Sequence, residues 1–250
     1  MEQVTLPGTD LNAVVYRPAE GIARAVILSH PGGRLRPRDY DWLNVGLAEA
    51  GFLVVGLYQR GYGSGTPGDG DFAGPKQQAD ALAAVEGLMV ATVVDDRPIG
   101  MVGHSMGAVL TLLTAARSPR LRSIVALSAL VDMARHVHML REFLPDTYKR
   151  YQCLVGGAPE DLPDGYRVRS PIEQATSIRA PTYLLVGEND RVCPPYHSMW
   201  MAEALRGNGT RVEIEVLRDA GHFFEPFNFG QPHTEEVTRR VVNWFADTLR

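Results

Sequence analysis

Ser105 sits in Gly103-His104-Ser105-Met106-Gly107, a G-x-S-x-G run. An apolar stretch, Ile99 to Val102, precedes it and a helix-forming stretch, Ala108 to Ala116, follows it. Strand, tight turn and helix in that order hold a serine out of the sheet on a strained backbone, with glycines where side chains would clash. The free N–H groups of the new helix face the same spot and can stabilise an anion. A serine hydroxyl is a weak nucleophile at neutral pH; it needs a base to take its proton and an acid to orient that base. In open α/β sheets such groups gather at the carboxyl ends of strands. Downstream of Ser105, two apolar runs end in suitable residues: Val186 is followed by Gly187-Glu188-Asn189-Asp190, and Leu217 by Arg218-Asp219-Ala220-Gly221-His222. This predicts Ser105 as nucleophile, Asp190 as acid and His222 as base, with Glu188 and Asp219 as rival acids. An oxyanion requires two donors. One is expected from the N–H of Met106, the other from the loop His30-Pro31-Gly32-Gly33, where Pro31 has no N–H and either Gly32 or Gly33 can serve.

The elements that must position these residues can be read from periodicity. Val4 to Leu6 and Leu11 to Tyr16 suggest a hairpin at a sheet edge. Ala25 to Ser29, Phe52 to Leu57, Pro98 to Gly103, Ser123 to Leu127, Pro181 to Val186 and Val212 to Leu217 read as strands, the most apolar of them buried on both faces. Helices are predicted over Asp39 to Ala50 (stopped by Gly51), Gln77 to Val90, Met106 to Arg117, Ser198 to Arg206 and Glu235 to Leu249. On the second of these Leu82, Val85, Leu88 and Met89 share a face; on the last Thr234 is the expected N-cap. Alternation of strands and helices predicts a mostly parallel sheet covered on both faces. Residues 129–170 break the rhythm and are expected to form a small cap of helices and loops over the site. The stretch 1–250 is read as one domain with that insertion.

Composition excludes several classes of function. The 250 residues carry a net charge of −4, with Lys and Arg scattered, so neither a nucleic-acid stripe nor a polybasic membrane patch is present. No apolar run approaches the ~20 residues of a spanning helix. Met1 to Asp10 lacks the layout of a signal peptide, and cytoplasmic location is the expectation. Cys153 and Cys193 form no C-x-x-C pair and are read as reduced thiols. His136 and His138, an H-x-H without a nearby acid or Cys, make a weak metal site; no metal or other cofactor is expected. The glycine-rich stretch from Gly61 to Gly74 lacks the ending of a phosphate-binding loop and reads as a loop near the site mouth.

The chain resembles an α/β-hydrolase over nearly its whole length. Within that superfamily it is similar to prolyl-oligopeptidase-type (S9-like) catalytic domains and to dienelactone-hydrolase-like esterases. The residues that carry the resemblance are His30 to Gly33, Arg60-Gly61-Tyr62-Gly63-Ser64, GHSMG at 103–107, Ser170-Pro171, the run Ile178 to Pro194, and Ala220 to Phe224. The resemblance implies the same three residues, Ser105, Asp190 and His222, in the order nucleophile, acid, base. Asp132 is a further rival, because some superfamily members place their acid after the preceding strand. Two departures stand out. Tyr58 takes the place where family members often carry an aspartate two residues before the Arg-Gly, and the 250 residues hold no counterpart of the propeller of full prolyl oligopeptidases. Ser105 also replaces the cysteine nucleophile of dienelactone hydrolases.

The expected chemistry is acyl transfer to water from an ester, thioester, lactone or activated amide of a small molecule. An acyltransferase or cyclising enzyme on the same residues, a prolyl-oligopeptidase-type peptidase and, less favoured, a non-catalytic binding protein are the alternatives. Tyr58, Tyr62, His136 and Tyr148 are candidates to shape the substrate pocket. His30 is expected to prop the oxyanion loop and His104 to pack under the turn. A homodimer through an exposed edge or the cap is compatible with the sequence.

Overall fold

The computed structural model describes residues 1–19, 23–33, 35–61, 66, 68–90, 97–226 and 230–250. Strands β1 (Glu2–Thr5), β2 (Asn12–Tyr16), β3 (Val26–His30), β4 (Leu53–Leu57), β5 (Ile99–His104), β6 (Leu121–Leu127), β7 (Thr182–Gly187) and β8 (Val212–Leu217) form an 8-stranded sheet in the order β1-β2-β4-β3-β5-β6-β7-β8. β1 and β2 pair antiparallel at one edge, and β2 meets β4 antiparallel; β4 through β8 run parallel. This is the α/β-hydrolase fold.

Successive residues of a strand point to opposite faces, and the sequence fills both with apolar side chains. Leu28, Val55, Met101 and Leu184 face one core with helices α2 (Pro75–Val90), α3 (Met106–Arg117) and α7 (Pro195–Gly207). Their neighbours Ile27, Val54, Val102 and Leu185 face the other, with α1 (Asp41–Glu49) and α8 (Thr234–Thr248). Burial on both faces explains why these strands read as continuous apolar runs.

Most boundaries fall within two residues of the sequence reading, with four differences. A 3₁₀ turn, Pro37–Tyr40, precedes α1 and takes the first part of the predicted helix. α7 starts three residues early because Pro194-Pro195 presets helical φ at its first turn. Thr234 is the first residue of α8 rather than its cap; His233 holds the cap position without a side-chain bond. On α2 the buried stripe is Ala81, Ala84, Val85 and Leu88, while Leu82 and Met89 lie only half-buried at its margin.

Between β6 and β7 the chain forms α4 (Met133–Phe143), α5 (Pro145–Val155) and the short α6 (Pro163–Arg167). These helices pack over the start of α3: Met133, Val137 and Tyr166 cluster with Met106, Val109 and Leu113. Arg169 anchors their base by donating to the backbone oxygens of Asp71, Phe72 and Gly165. Among the described residues no helix is long and apolar enough to cross a membrane.

Candidate active site

Ser105 occupies the turn between β5 and α3 with φ 55° and ψ −118°, a conformation that costs a non-glycine residue roughly 1–3 kcal/mol. The surroundings hold it there. Its N–H donates to Leu127 O at 2.8 Å, and its carbonyl accepts from Ala108 and Val109 as α3 begins. A Cβ on Gly103 would collide with the Gly107 carbonyl, and a Cβ on Gly107 with the His30 carbonyl. The two glycines are therefore required by close approach of backbone to backbone.

His222 lies on the loop after β8, with Nδ1 2.8 Å from Asp190 Oδ2 and Nε2 3.0 Å from Ser105 Oγ. A carboxylate only accepts, so Nδ1 carries the proton and Nε2 is left bare to accept from the Ser105 hydroxyl. Asp190, 3% exposed, also accepts from the N–H groups of Val192 (2.9 Å) and Cys193 (2.8 Å) through Oδ1. Burial pushes its carboxyl pKa up, but the hydrogen bond and charge of His222 and the Cys193 N–H outweigh burial and hold it below the usual carboxylate value. The loops carrying acid and imidazole are also joined directly, Asn189 N–H to Ala220 O at 2.9 Å. Two of the rival carboxylates, Asp132 and Glu188, are engaged elsewhere. Asp132 caps α4 by accepting from Arg135 N, and Glu188 accepts from the N–H of Asp219.

A second, fully buried chain of hydrogen bonds runs beneath the first. His104 Nε2 lies 2.7 Å from the backbone oxygen of His222, so this nitrogen donates and Nδ1 must accept. Its donor is the Tyr40 hydroxyl, 2.5 Å away. Burial and the neighbouring His222 push the His104 pKa down to about 3, so the ring is neutral. Burial raises the Tyr40 pKa, opposed in part by the nearby Gly32 backbone. One tyrosine and one histidine thus link the 3₁₀ turn before α1, the turn at Ser105 and the peptide of His222. His30 supports the His30–Gly33 loop: its Nδ1 lies 3.3 Å from Pro31 O and 3.2 Å from Gln59 Nε2, which also donates to Pro31 O. Burial lowers the His30 pKa to about 4.

Ser105 opens into a cavity of about 390 Å³, with Gly33 and Met106 beside it and Val109, Leu130, Met133, Leu140, Leu144 and Leu154 among its apolar lining. Of the pocket candidates, His136 lines this cavity. Tyr58 does not; it packs against the α1–α8 core. Tyr148 does not either; it turns to the α3–cap cluster, with the Arg141 guanidinium 5.9 Å from its ring. Three positions along α5 turn the side chain by a net ~60°, and Tyr151, not Tyr148, faces the cavity. Tyr62 lies outside the described residues. Phe72, Ala73 and Cys193 also line the cavity; nothing in the sequence points to the first two, and the third is signalled only by its proximity to Asp190. The Cys193 thiol is buried, which pushes its pKa well up, and Cys153 is exposed; both are free. Among the described residues no group of three or more His, Cys, Asp or Glu could hold a metal ion.

The prolyl oligopeptidase family model matches residues 40–250, and the chain belongs to that family of serine hydrolases. It is 28% identical over 201 residues to an uncharacterized peptidase of Bacillus subtilis, covering 80% of this chain and 74% of the relative. It superposes on the acylaminoacyl peptidase of Pyrococcus horikoshii with a TM-score of 0.81 at 19% identity, over 99% of this chain but 41% of that one. It superposes on a butyrate-bound thermophilic esterase of Thermogutta terrifontis with a TM-score of 0.71 at 20% identity, over 98% of this chain and 93% of the esterase.

Proposed function

We propose that the protein hydrolyses carboxylic esters and related activated acyl compounds of small molecules through an acyl-enzyme on Ser105. The observation that carries this reading is the hydrogen-bonded sequence Ser105–His222–Asp190 opening on an apolar, cap-covered cavity. His222 Nε2 takes the hydroxyl proton as Ser105 Oγ attacks the substrate carbonyl. Asp190 holds the tautomer and stabilises the imidazolium that forms. The tetrahedral oxyanion is held by the N–H of Met106, at the unpaired start of α3, and by that of Gly33. Gly33 is preferred to Gly32 because Gly33 borders the cavity into which Ser105 opens. Each such donor is worth about 3 kcal/mol of barrier. As the intermediate collapses, His222 returns its proton to the leaving oxygen. Water, activated by the same imidazole, then frees the acid and Ser105.

The aliphatic side chains among the cavity lining support a small acyl substrate. A methylene that fits the apolar cavity gains up to ~0.8 kcal/mol, or about fourfold. A p-nitrophenyl series from acetate to octanoate is therefore expected to rise in kcat/KM, then fall once the cavity is full. The bacterial relative named as a peptidase supports a second reading, cleavage of N-acylated amino-acid amides. Acylaminoacyl p-nitroanilides turned over faster than any ester of the series would move that reading ahead.

A further inference from the structure

His136 is one of the polar side chains of the cavity that the hydrolytic steps do not use, with Thr147, Arg150, Tyr151 and Arg191. It sits on α4, is 4% exposed, and still borders the cavity that holds Ser105. Its ring is fixed from several sides. Tyr151 packs edge-on at 5.6 Å, the ring of His197 on α7 lies at 5.2 Å, and next door the Arg135 guanidinium stacks 3.8 Å from the Trp200 ring to bind α4 to α7.

The pair of imidazoles settles where the protons are. His136 Nδ1 and His197 Nε2 are 3.2 Å apart and share one hydrogen. The other nitrogen of His197, Nδ1, is buried with no partner among the described residues. Were His136 the donor, neutral His197 would carry its proton on Nδ1, burying an N–H with no acceptor. With His197 as donor, only a lone pair goes unpaired, which proteins tolerate better. Burial lowers the His136 pKa to about 4 and that of His197 to about 3, so both are neutral near pH 7. His136 then carries its single proton on Nε2. That nitrogen makes no hydrogen bond among the described residues, and the cavity that His136 borders is lined by Leu130, Met133 and Leu140 as well as by Thr147, Arg150 and Arg191.

We propose that His136 Nε2–H is a hydrogen-bond donor built into the acyl cavity, and that the preferred substrates carry an uncharged oxygen acceptor, a ketone or ether, along the acyl chain. The proposal rests on the ester-hydrolase reading and narrows it to a substrate class. An all-carbon chain would displace water from the N–H and leave it unpaired, a larger penalty than the gain from apolar contact at that point. An oxygen at the right position pairs the donor while the rest of the chain covers the aliphatic wall.

The test uses p-nitrophenyl esters in shape-matched pairs: 4-oxopentanoate with 4-methylpentanoate, 5-oxohexanoate with 5-methylhexanoate, and 6-oxoheptanoate with 6-methylheptanoate. Each ratio of kcat/KM is corrected by the ratio for hydroxide-catalysed hydrolysis. In wild type at least one pair is expected to favour the oxo ester by about fivefold or more. His136→Phe should bring that ratio near one while still hydrolysing the methyl ester, and His136→Gln, which keeps a donor, should retain most of it. Ratios near one at every position in wild type, or an undiminished preference in His136→Phe, would overturn the subsite and leave the hydrolase reading standing. Should His136→Phe fail to fold, His136→Leu takes its place with the same expected ratio, and an undiminished preference there likewise overturns the subsite. No hydrolysis of either series, together with no fluorophosphonate adduct on Ser105, would overturn both.

Discussion

Below Ser105, Asp190 takes two backbone N–H groups and an imidazole, while Tyr40 and His104 tie down the peptide that carries His222. Above it, α5 contributes no fully buried residue, and Phe143 and Leu144 at the α4–α5 junction are 81% and 52% exposed. The lower region is built on strand ends of a sheet buried on both faces. The upper region is three short helices over one patch of α3. The groups that would set the barrier are thus held from several directions, and those that would select the substrate from few. Changes in the cap can alter which acyl group enters without disturbing the relation of serine, imidazole and carboxylate, whereas a change underneath disturbs that relation at once.

The comparison can be broken most severely from below. Ser105→Ala is expected to lower kcat for p-nitrophenyl butyrate by about 10⁴-fold or more with an unchanged thermal midpoint. Asp190→Asn should cost about 10³- to 10⁴-fold, because an amide no longer dictates the His222 tautomer; stopped assays of purified protein check both.

Acid should loosen the interior before it reaches most carboxylates. His30, His104, His136 and His197 have folded pKa values of about 3 to 4, below the ~6.5 of an unfolded histidine. The unfolded chain therefore takes up protons that the folded one refuses. Stability is full above pH 6.5 and falls toward pH 4, by roughly 1.4 kcal/mol per unit for each histidine at most. Unfolding free energies from urea titrations at pH 7.5 and pH 5 should differ by a few kcal/mol; equal values would mean these rings titrate normally.

Tyr40→Phe removes one hydroxyl from the lower network without touching substrate. It is expected to lower kcat about tenfold with KM within a factor of two. A loss confined to the thermal midpoint would assign Tyr40 a structural role only. Leu144→Ala, at the cavity rim, should give the smallest change: KM for hexanoate raised two- to threefold with kcat and the midpoint nearly constant. A larger fall in kcat there than in Tyr40→Phe would reverse the contrast between roof and floor.

The strands and the turn were readable because their signals are local. Continuous apolar runs mark strands buried on both faces, and Gly103 and Gly107 flank a serine that needs them. Asp190 and His222 could be placed beside Ser105 because parallel strands bring their carboxyl ends together; that rule does not choose between Asp190 and Glu188, two residues apart, and the orientation set by the Val192 and Cys193 amides does. Tyr40 and His104 are 64 residues apart in sequence, and nothing local in either announces their bond. In the cap, Tyr148 and Tyr151 look alike in sequence; the rotation of α5, fixed by what it packs against, sends one to the cavity and the other to Arg141.

The most direct measurement is intact mass after reaction with a fluorophosphonate, on wild type and Ser105→Ala. The expected result is a single adduct on wild type that is lost in the folded variant. An unlabelled, well-folded wild type, or an adduct that persists in Ser105→Ala, would contradict the placement of the reactive nucleophile at the turn between β5 and α3.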